Sequence, residues 1–483
     1  MYIYTSEQIK AADQLAEKRG MSTFSLMENA GCGLYHAICP YLSTNQKLLI
    51  ASGKGNNGGD GIVLARYLKM AGFEVDLIFP LGEPKTGVAK QHLHYYEQCG
   101  FPVEEWNPNQ TYDVIVDALL GVGAILPLQE SLVEWIKWMK SMKATIISID
   151  VPTGISSNSG VVDQNAIKAD YTFSLHGYKP SRFLFPSSHF YGQVEVVDIG
   201  LPQKSNWRVW TEKDVQKSWV KRETNAHKGL FGTGLLIAGS HEMPGSAALA
   251  ASSAMRFGIG KLTVNTTQHA SAIIGPIVPE VTFLYHTYEE LVRSEWKNRR
   301  FTCAAIGPGL DPTDDLEKLV TYLLKQNVPL ILDAGAIQSR SYPRGEKPII
   351  LTPHPGEFSR LLQLSTKEIQ ENRIELASEY AVTHHVILIL KGEYTVIAFP
   401  DGTGYINTTG NASLAKGGSG DALTGMLLAS IEGNDCVKAA VLNAVYIHGV
   451  CSDEWVRKYS EHTFVSSDFS SLLPMICKSF EKE

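Results

Sequence analysis

At 483 residues the chain is too long for one ordinary domain, and two or three are expected. Its 44% hydrophobic and 19% charged residues support full-sized cores and argue against disorder, and a net charge of −7 gives no global attraction to nucleic acid or to an anionic membrane. Seven scattered cysteines form no Cys-x-x-Cys pair, so neither a zinc site nor a disulfide framework is suggested, and a reduced cytoplasm fits.

The first residues, Met1 to Glu7, lack the basic start and apolar block of a secretory signal. Further along, buried-type strands alternate with amphipathic helices. Strands are expected at 47–51, 75–79, 113–118 and 145–149, with helices at 61–70, 88–99 and 131–142 between them. This alternation predicts a parallel sheet with helices on both faces and functional loops at the carboxyl ends of its strands. Residues 193–199 read as a closing strand. The stretch Pro202–Lys228 is polar and without sustained apolar periodicity, which puts a domain junction near Thr211 and gives domains of 1–210 and 211–483. The second region restarts with a strand at 234–238 and a helix at 247–257. Further strands are expected at 261–264, 303–306, 329–332, 348–351 and 386–390. The apolar run 385–400 is broken by Lys391-Gly392-Glu393 and reads as two strands and a turn, so no run approaches the ~20 residues needed to span a bilayer. The expected class is α/β throughout.

Four loops carry chemistry. Gly53-Lys54-Gly55-Asn56-Asn57-Gly58-Gly59-Asp60-Gly61 follows a strand and opens a helix. It is neither the dinucleotide fingerprint nor a P-loop, yet it offers N–H groups at a helix start, which suits an anion. Asp117, closing a strand before Gly121-Val122-Gly123, is either a helix cap or a ligand group. Asp150-Val151-Pro152-Thr153-Gly154 has the same layout, with Pro152 and Gly154 favouring a rigid loop. Asp117, Thr153 and the Asn57 amide are hard oxygen donors that, if they converge, suit a hard cation rather than zinc. Near the carboxyl end, Lys416-Gly417-Gly418-Ser419-Gly420-Asp421 leads into a helix. There Asp421 is either an N-cap or a base beside a bound phosphate, accepting a proton from a hydroxyl about to be phosphorylated.

On Asn56-Asn57-Gly58-Gly59-Asp60-Gly61, Asp117-xxx-Gly121-x-Gly123, Asp150-Val151-Pro152-Thr153-Gly154 and Lys179-Pro180 through Asp198-Ile199-Gly200, the first region resembles the NAD(P)HX epimerase family, a Rossmann-like fold. The resemblance implies that Asn56, Asn57, Gly58, Gly59 and Asp60, with Gly121, Val122, Gly123, Ala124, Ile125, Leu126 and Pro127, cradle a hydrated dinucleotide. It implies potassium at Asn57, Asp117 and Thr153, and a catalytic Asp150 against the nicotinamide-derived ring. Thr153 stands where that family often has Ser, and the hydroxyl is kept.

The second region is similar to the ribokinase-like ADP-dependent NAD(P)HX dehydratases. Six ordered blocks carry the likeness, among them Met243-Pro244-Gly245-Ser246-Ala247, Gly307-Pro308-Gly309-Leu310, Thr352-Pro353-His354-Pro355-Gly356-Glu357, Lys391-Gly392-x-x-Thr395 and Gly418-Ser419-Gly420-Asp421. It implies that Ser246, Gly309, His354 and Asp421 contact the hydrated substrate, and that Lys391, Gly392, Glu393, Tyr394, Thr395 and Gly420 contact the nucleotide. Two departures stand out: Gly335 replaces a second Asp in Asp333-Ala334-Gly335-Ala336, and Ser246 replaces a common Ala.

Together these imply a bifunctional repair enzyme of hydrated NADH and NADPH. Magnesium would accompany ADP, Asp421 would act as general base, and small molecules rather than nucleic acid or membrane would be the partners of a homo-oligomer. The alternatives are a vitamin or sugar kinase of the same fold fused to a Rossmann-like binding domain, and a first domain that binds without catalysing.

Overall fold

The computed structural model describes residues 1–295 and 301–481. The chain divides into two compact units, one of Met1–Trp207 with Gln370–Asn372, the other of Arg208–Ile369 and Arg373–Glu483. Among the described residues no helix is long and apolar enough to cross a membrane.

The first unit is built on six strands, β1 (Lys47–Ser52), β2 (Glu74–Ile78), β3 (Val114–Ala118), β4 (Thr145–Ile149), β5 (Tyr171–Leu175) and β6 (Gln193–Val197). They lie in the order β2-β1-β3-β4-β5-β6, every pairing parallel. The apolar runs of β1, β3 and β4 are buried almost throughout, as a sheet covered on both faces requires. One face packs under Leu34, Ile62 and Leu93, the other under Leu132, Trp135 and Ile136. Helices α1 (Ser6–Lys18), α2 (Thr23–Ile38), α3 (Asn56–Met70), α4 (Gly87–Gln98) and α5 (Glu130–Ser141) supply the cover. Strand order reverses between β1 and β3, so their carboxyl ends form the crevice where a doubly wound sheet binds its ligand.

In the second unit the strands β7 (Thr233–Ile237), β8 (Lys261–Asn265), β9 (Thr282–Leu284), β10 (Cys303–Ile306), β11 (Leu330–Leu332), β12 (Ile349–Leu351), β13 (Ile387–Leu390), β14 (Thr395–Ala398) and β15 (Gly404–Asn407) run in the order β15-β14-β13-β12-β11-β10-β7-β8-β9. Strands β13 to β15 form an antiparallel meander, and the rest pair in parallel. Register aligns Ile237 with Ile306, Ile306 with Leu332 and Leu332 with Leu351, so the residues that follow these strands emerge at one level. Here order reverses between β7 and β10.

Helices α6 (Pro244–Phe257) and α8 (Ser419–Glu432) flank that reversal, and α7 (Pro355–Leu362) follows β12. The contact between α6 and α8 runs along small residues. A Cβ at Gly425 would lie 1.9 Å from the Ala250 carbonyl oxygen, so no side chain fits there. That close approach brings the first turns of the two helices together.

Candidate active sites

In the first unit the loops after β1 and β3 meet as the strand reversal requires. Gly53 N–H donates to the Ala118 carbonyl at 3.0 Å, and a Cβ on Gly53 would stand 1.9 Å from the Leu119 oxygen. Helix α3 begins at Asn56, earlier than the expected residue 61, and takes the Asn56–Asp60 motif into its first turns. Glycine is poor in helices, but here contact decides. A Cβ at Gly58 would overlap the Gly53 carbonyl and one at Gly59 would meet Met27. Gly55, the N-cap, makes no side-chain capping bond, so no side chain occupies this helix start.

Asp117 is fully buried below this crevice. Its carboxylate accepts from Thr153 Oγ1 at 2.7 Å, Thr153 N at 2.9 Å and Ser148 Oγ at 2.9 Å. Burial raises its pKa, and those bonds oppose the rise. Thr153 Oγ1 in turn accepts from Leu120 N at 3.1 Å, and the Asn57 side chain lies against the neighbouring Gly121. The Asn57 amide nitrogen is buried without a hydrogen-bond partner. The oxygen atoms of this corner, the Asn57 amide carbonyl beside Gly121, the Thr153 hydroxyl and the Asp117 carboxylate, are of the type a hard cation takes.

A cleft of about 450 Å³ opens above, lined by Asn56, Asn57, Asp60, Gly121–Ala124 and Asp150. Ile125, Leu126 and Pro127 are not among its lining residues, and Ile125 is 84% exposed. Asp150 sits at φ 70, a conformation rare outside glycine, which turns its carboxylate back toward β5. There it accepts from Leu175 N at 3.1 Å and pairs with the buried ammonium of Lys179. Lys179 also donates to the carbonyls of Leu175 and Gly177. Asp60, buried beside Asp150 and Asp13, is pushed well above the carboxylate range, by burial first. Asp13, His176 and Lys179 line this cleft without having been assigned a role from sequence. Only the positive charge of Lys179 within a matched block pointed toward one of them.

In the second unit the reversal point is closed by Gly239 N–H donating to the Pro308 carbonyl at 2.8 Å. A Cβ on Gly309 would press on Ser246 and on the Met243 carbonyl. Helix α8 starts behind Gly418, at φ 90 and with no side-chain cap, so Asp421 is not the N-cap but a first-turn carboxylate. Burial raises its pKa, while the Ser246 hydroxyl beside it and the charge of Lys391 pull the other way. Lys391 Nζ would come within 3.2 Å of a Cβ on Gly420, which puts an ammonium at the mouth of an uncapped helix. Burial works against that charge, but Asp333, Glu357 and Asp421 hold it on.

Asp333 gathers this centre. Buried, it accepts from Thr352 Oγ1 at 2.7 Å, Lys391 Nζ at 3.1 Å and Thr424 Oγ1 at 2.8 Å. Gly335 follows from packing, because a Cβ there would lie 2.1 Å from the Leu310 carbonyl. Arg373 donates to the carbonyls of Leu390 and Lys391 and fills the space a side chain at Gly392 would need. Glu393 and Tyr394 belong to the β13–β14 turn, and Thr395 opens β14 with its Oγ1 donating to the Gly392 carbonyl. His354 caps α7, its Nδ1 accepting from Gly356 N at 3.0 Å, and its side chain is 53% exposed with Nε2 toward Glu357. Lys416 is spent on structure, donating to the carbonyls of His462 and Phe464. A cleft of about 730 Å³ opens beside Gly239 and Leu310, with Tyr285, His286 and Tyr288 in its wall.

Comparison with known proteins agrees with this two-site layout. The bifunctional NAD(P)H-hydrate repair enzyme Nnr of Moorella thermoacetica is 33% identical over the whole of this chain and 98% of its own length. The chain belongs to the bifunctional NAD(P)H-hydrate repair enzymes. Within that family, residues 23–181 match the YjeF-related protein N-terminus and residues 234–474 the NAD(P)H-hydrate dehydratase model. The ADP-dependent (S)-NAD(P)H-hydrate dehydratase of Bacillus subtilis is 44% identical over 56% of this chain and 98% of its own. The crystal structure of the ADP/ATP-dependent enzyme from B. subtilis, co-crystallised with ATP and Mg2+, matches 58% of this chain and 100% of that one, with a TM-score of 0.56. A ribokinase-like protein of Enterococcus faecalis, 23% identical with a TM-score of 0.51, shares the fold of this repair enzyme's second unit.

Proposed function

We propose that the chain repairs hydrated NADH and NADPH in two reactions, epimer exchange at the hydrated ring carbon in the first unit and ADP-dependent dehydration of the S epimer in the second. The observation that carries the reading is Asp421 in the first turn of an uncapped helix, beside Lys391 and the bare backbone of Gly420. Asp421 takes the proton of the ring hydroxyl as its oxygen attacks the terminal phosphorus of ADP. Lys391 and the α8 amides stabilise the charge on the transferring group, and Asp333 keeps that ammonium in position. The ring nitrogen then pushes out inorganic phosphate, and loss of a proton from the adjacent ring carbon restores the dihydronicotinamide. Ser246, Gly309 and His354 contact the substrate, and Lys391–Thr395 with Gly420 contact the nucleotide. Magnesium accompanying the nucleotide would neutralise phosphate charge.

In the first unit Asn57, Asp117 and Thr153 would hold potassium. The support is three oxygen donors around one turn, the Asn57 amide carbonyl beside Gly121 and the hydrogen-bonded Thr153 hydroxyl and Asp117 carboxylate. Bound there, the cation would keep Asp117 ionised and fix the Gly121–Ala124 loop over the ring. Asp150, paired with Lys179, handles the proton of the ring hydroxyl.

The two reactions separate in a salt exchange. Replacing potassium with lithium is expected to slow epimer exchange by about tenfold or more, as removal of a fixed structural contact does. ADP-dependent recovery of dihydronicotinamide absorbance from pure S epimer should keep its rate. Equal exchange rates in both salts would remove the potassium assignment. Failure to recover NADH with ADP would remove the function itself.

A further inference from the structure

The cleft of the first unit holds a carboxyl that the reading above does not use. Asp13 lies on α1 on the same face as Ile9 and Lys10, at the i, i+3 and i+4 spacing that aligns side chains, and all three line the cleft. The helix is fixed in place at its start. Ser6 N donates to Asn158 Oδ1 at 2.8 Å, and Asn158 Nδ2 donates to Ser6 Oγ and to Glu7. Ser157, next along, donates to the Val122 carbonyl of the opposite loop. So α1 is tied to the segment that follows Asp150 and, through it, to the loop after β3. Among the described residues Asp13 makes no hydrogen bond and no ion pair, although it is partly buried. A packed carboxyl left without a partner in a ligand cleft is available to a ligand.

Resting on the epimerase reading of this cleft, we infer that Asp13 is the second acid–base group of the exchange, acting on the ring nitrogen while Asp150 acts on the ring hydroxyl. Exchange at a carbon bearing both a hydroxyl and the ring nitrogen needs two proton transfers. Asp150 removes the hydroxyl proton, the oxygen forms a carbonyl, and the carbon–nitrogen bond breaks with its electron pair going to nitrogen. Asp13 protonates that nitrogen. Rotation about the adjacent carbon–carbon bond turns the carbonyl over. The nitrogen then attacks its other face, returns its proton to Asp13, and the oxygen recovers the proton held by Asp150. Nothing is gained or lost, and both carboxyls end as they began.

The surroundings of the two groups divide the roles. Asp150 is held by the Lys179 ammonium and the Leu175 amide, whereas Asp13 has neither partner. Burial and the charge of Asp150 push Asp13 up to about 6, with Lys179 opposing. Two carboxyls with environments this different are how one site holds an acid and a base together. The other groups facing the cleft are Asp60, which burial pushes well above the carboxylate range, His176, which burial and then Lys179 push down, and Lys10 on the same face of α1. Asp60 is buried at the floor of the cleft, whereas Asp13 is only partly buried and stands in its wall.

The test uses the full chain with potassium and each pure epimer in turn. Asp13→Asn should slow equilibration by about a hundredfold, the usual scale for a lost acid–base group. ADP-dependent dehydration of the S epimer serves as the control for folding and should be unchanged. Wild-type exchange should decline as pH rises through about 6, where Asp13 loses its proton, and the Asn variant should lose that limb. Asp13→Glu restores a carboxyl and should restore the limb. Wild-type exchange and an unaltered limb in Asp13→Asn, with Asp150→Asn inactive, would overturn the proposal alone. Unchanged exchange in Asp150→Asn would overturn the reading of the cleft and the proposal with it.

Discussion

Asp421→Asn is expected to lower ADP-dependent dehydration by about a thousandfold while epimer exchange continues at the wild-type rate. The size follows from removing a general base from a site where water cannot readily replace it. Burial lifts the affinity of Asp421 for a proton, which makes the ionised form a stronger base for an alcohol than an exposed carboxylate would be. Asparagine keeps the shape of the first turn, and because α8 takes no side-chain cap from this residue, the helix start is not disturbed. Phosphoryl-group contacts through Lys391 and Gly420 remain, so nucleotide affinity should change little against the loss in turnover. Single-turnover dehydration of the S epimer alongside nucleotide titration separates the two. Dehydration near the wild-type rate would remove Asp421 from its role.

Asp150→Asn should do the reverse, abolishing epimer exchange by about a hundredfold or more and sparing dehydration. It carries a stability cost that Asp421→Asn does not. Lys179 is 1% exposed, and the substitution removes its only carboxylate partner among the described residues, leaving carbonyls and the Ser174 hydroxyl around the ammonium. Breaking a buried pair in this way costs about 3 kcal/mol. Asparagine tolerates the left-handed backbone at φ 70 better than most residues, so the turn itself survives. Denaturant unfolding should therefore show the first unit weakened, and exchange measured well below its midpoint should still be lost. Exchange at the wild-type rate would contradict the assignment.

Much of this architecture was legible because parallel strands buried on both faces need nearly continuous apolar runs. Residues 145–149 and 303–306 coincide with the expected strands, and the others differ by a residue or two at their ends. What escaped has identifiable causes. The strand Tyr171–Leu175 alternates apolar and polar residues rather than forming the continuous apolar run sought for a buried parallel strand, and Thr282–Leu284 spans three residues, too few for a period to appear. The start of α3 was hidden by Gly58 and Gly59, whose helix cost is overruled by backbone and side-chain contact on both. Helix α1 buries only Ser6 and Ala16, so its apolar signal is weak, and with the helix went Asp13. Asp333 carries no role in the sequence reading, where only Gly335 stands out as a departure, yet that glycine answers to the Leu310 carbonyl and Asp333 joins Thr352, Lys391 and Thr424. The paired roles of Asp117 and Thr153 were readable as donor types, but their direct hydrogen bonds depend on the register that aligns Asp117 with Ser148.

The central claim is that one chain both exchanges and dehydrates the epimers of hydrated nicotinamide nucleotides. Its most direct test is the end point reached when an equimolar mixture of the two epimers is incubated with the intact chain, ADP, magnesium and potassium under conditions of slow spontaneous exchange. Complete recovery of the dihydronicotinamide absorbance is the expected result, since the first unit replenishes the epimer that the second consumes. A halt at half recovery, or accumulation of a stable phosphorylated product, would contradict it.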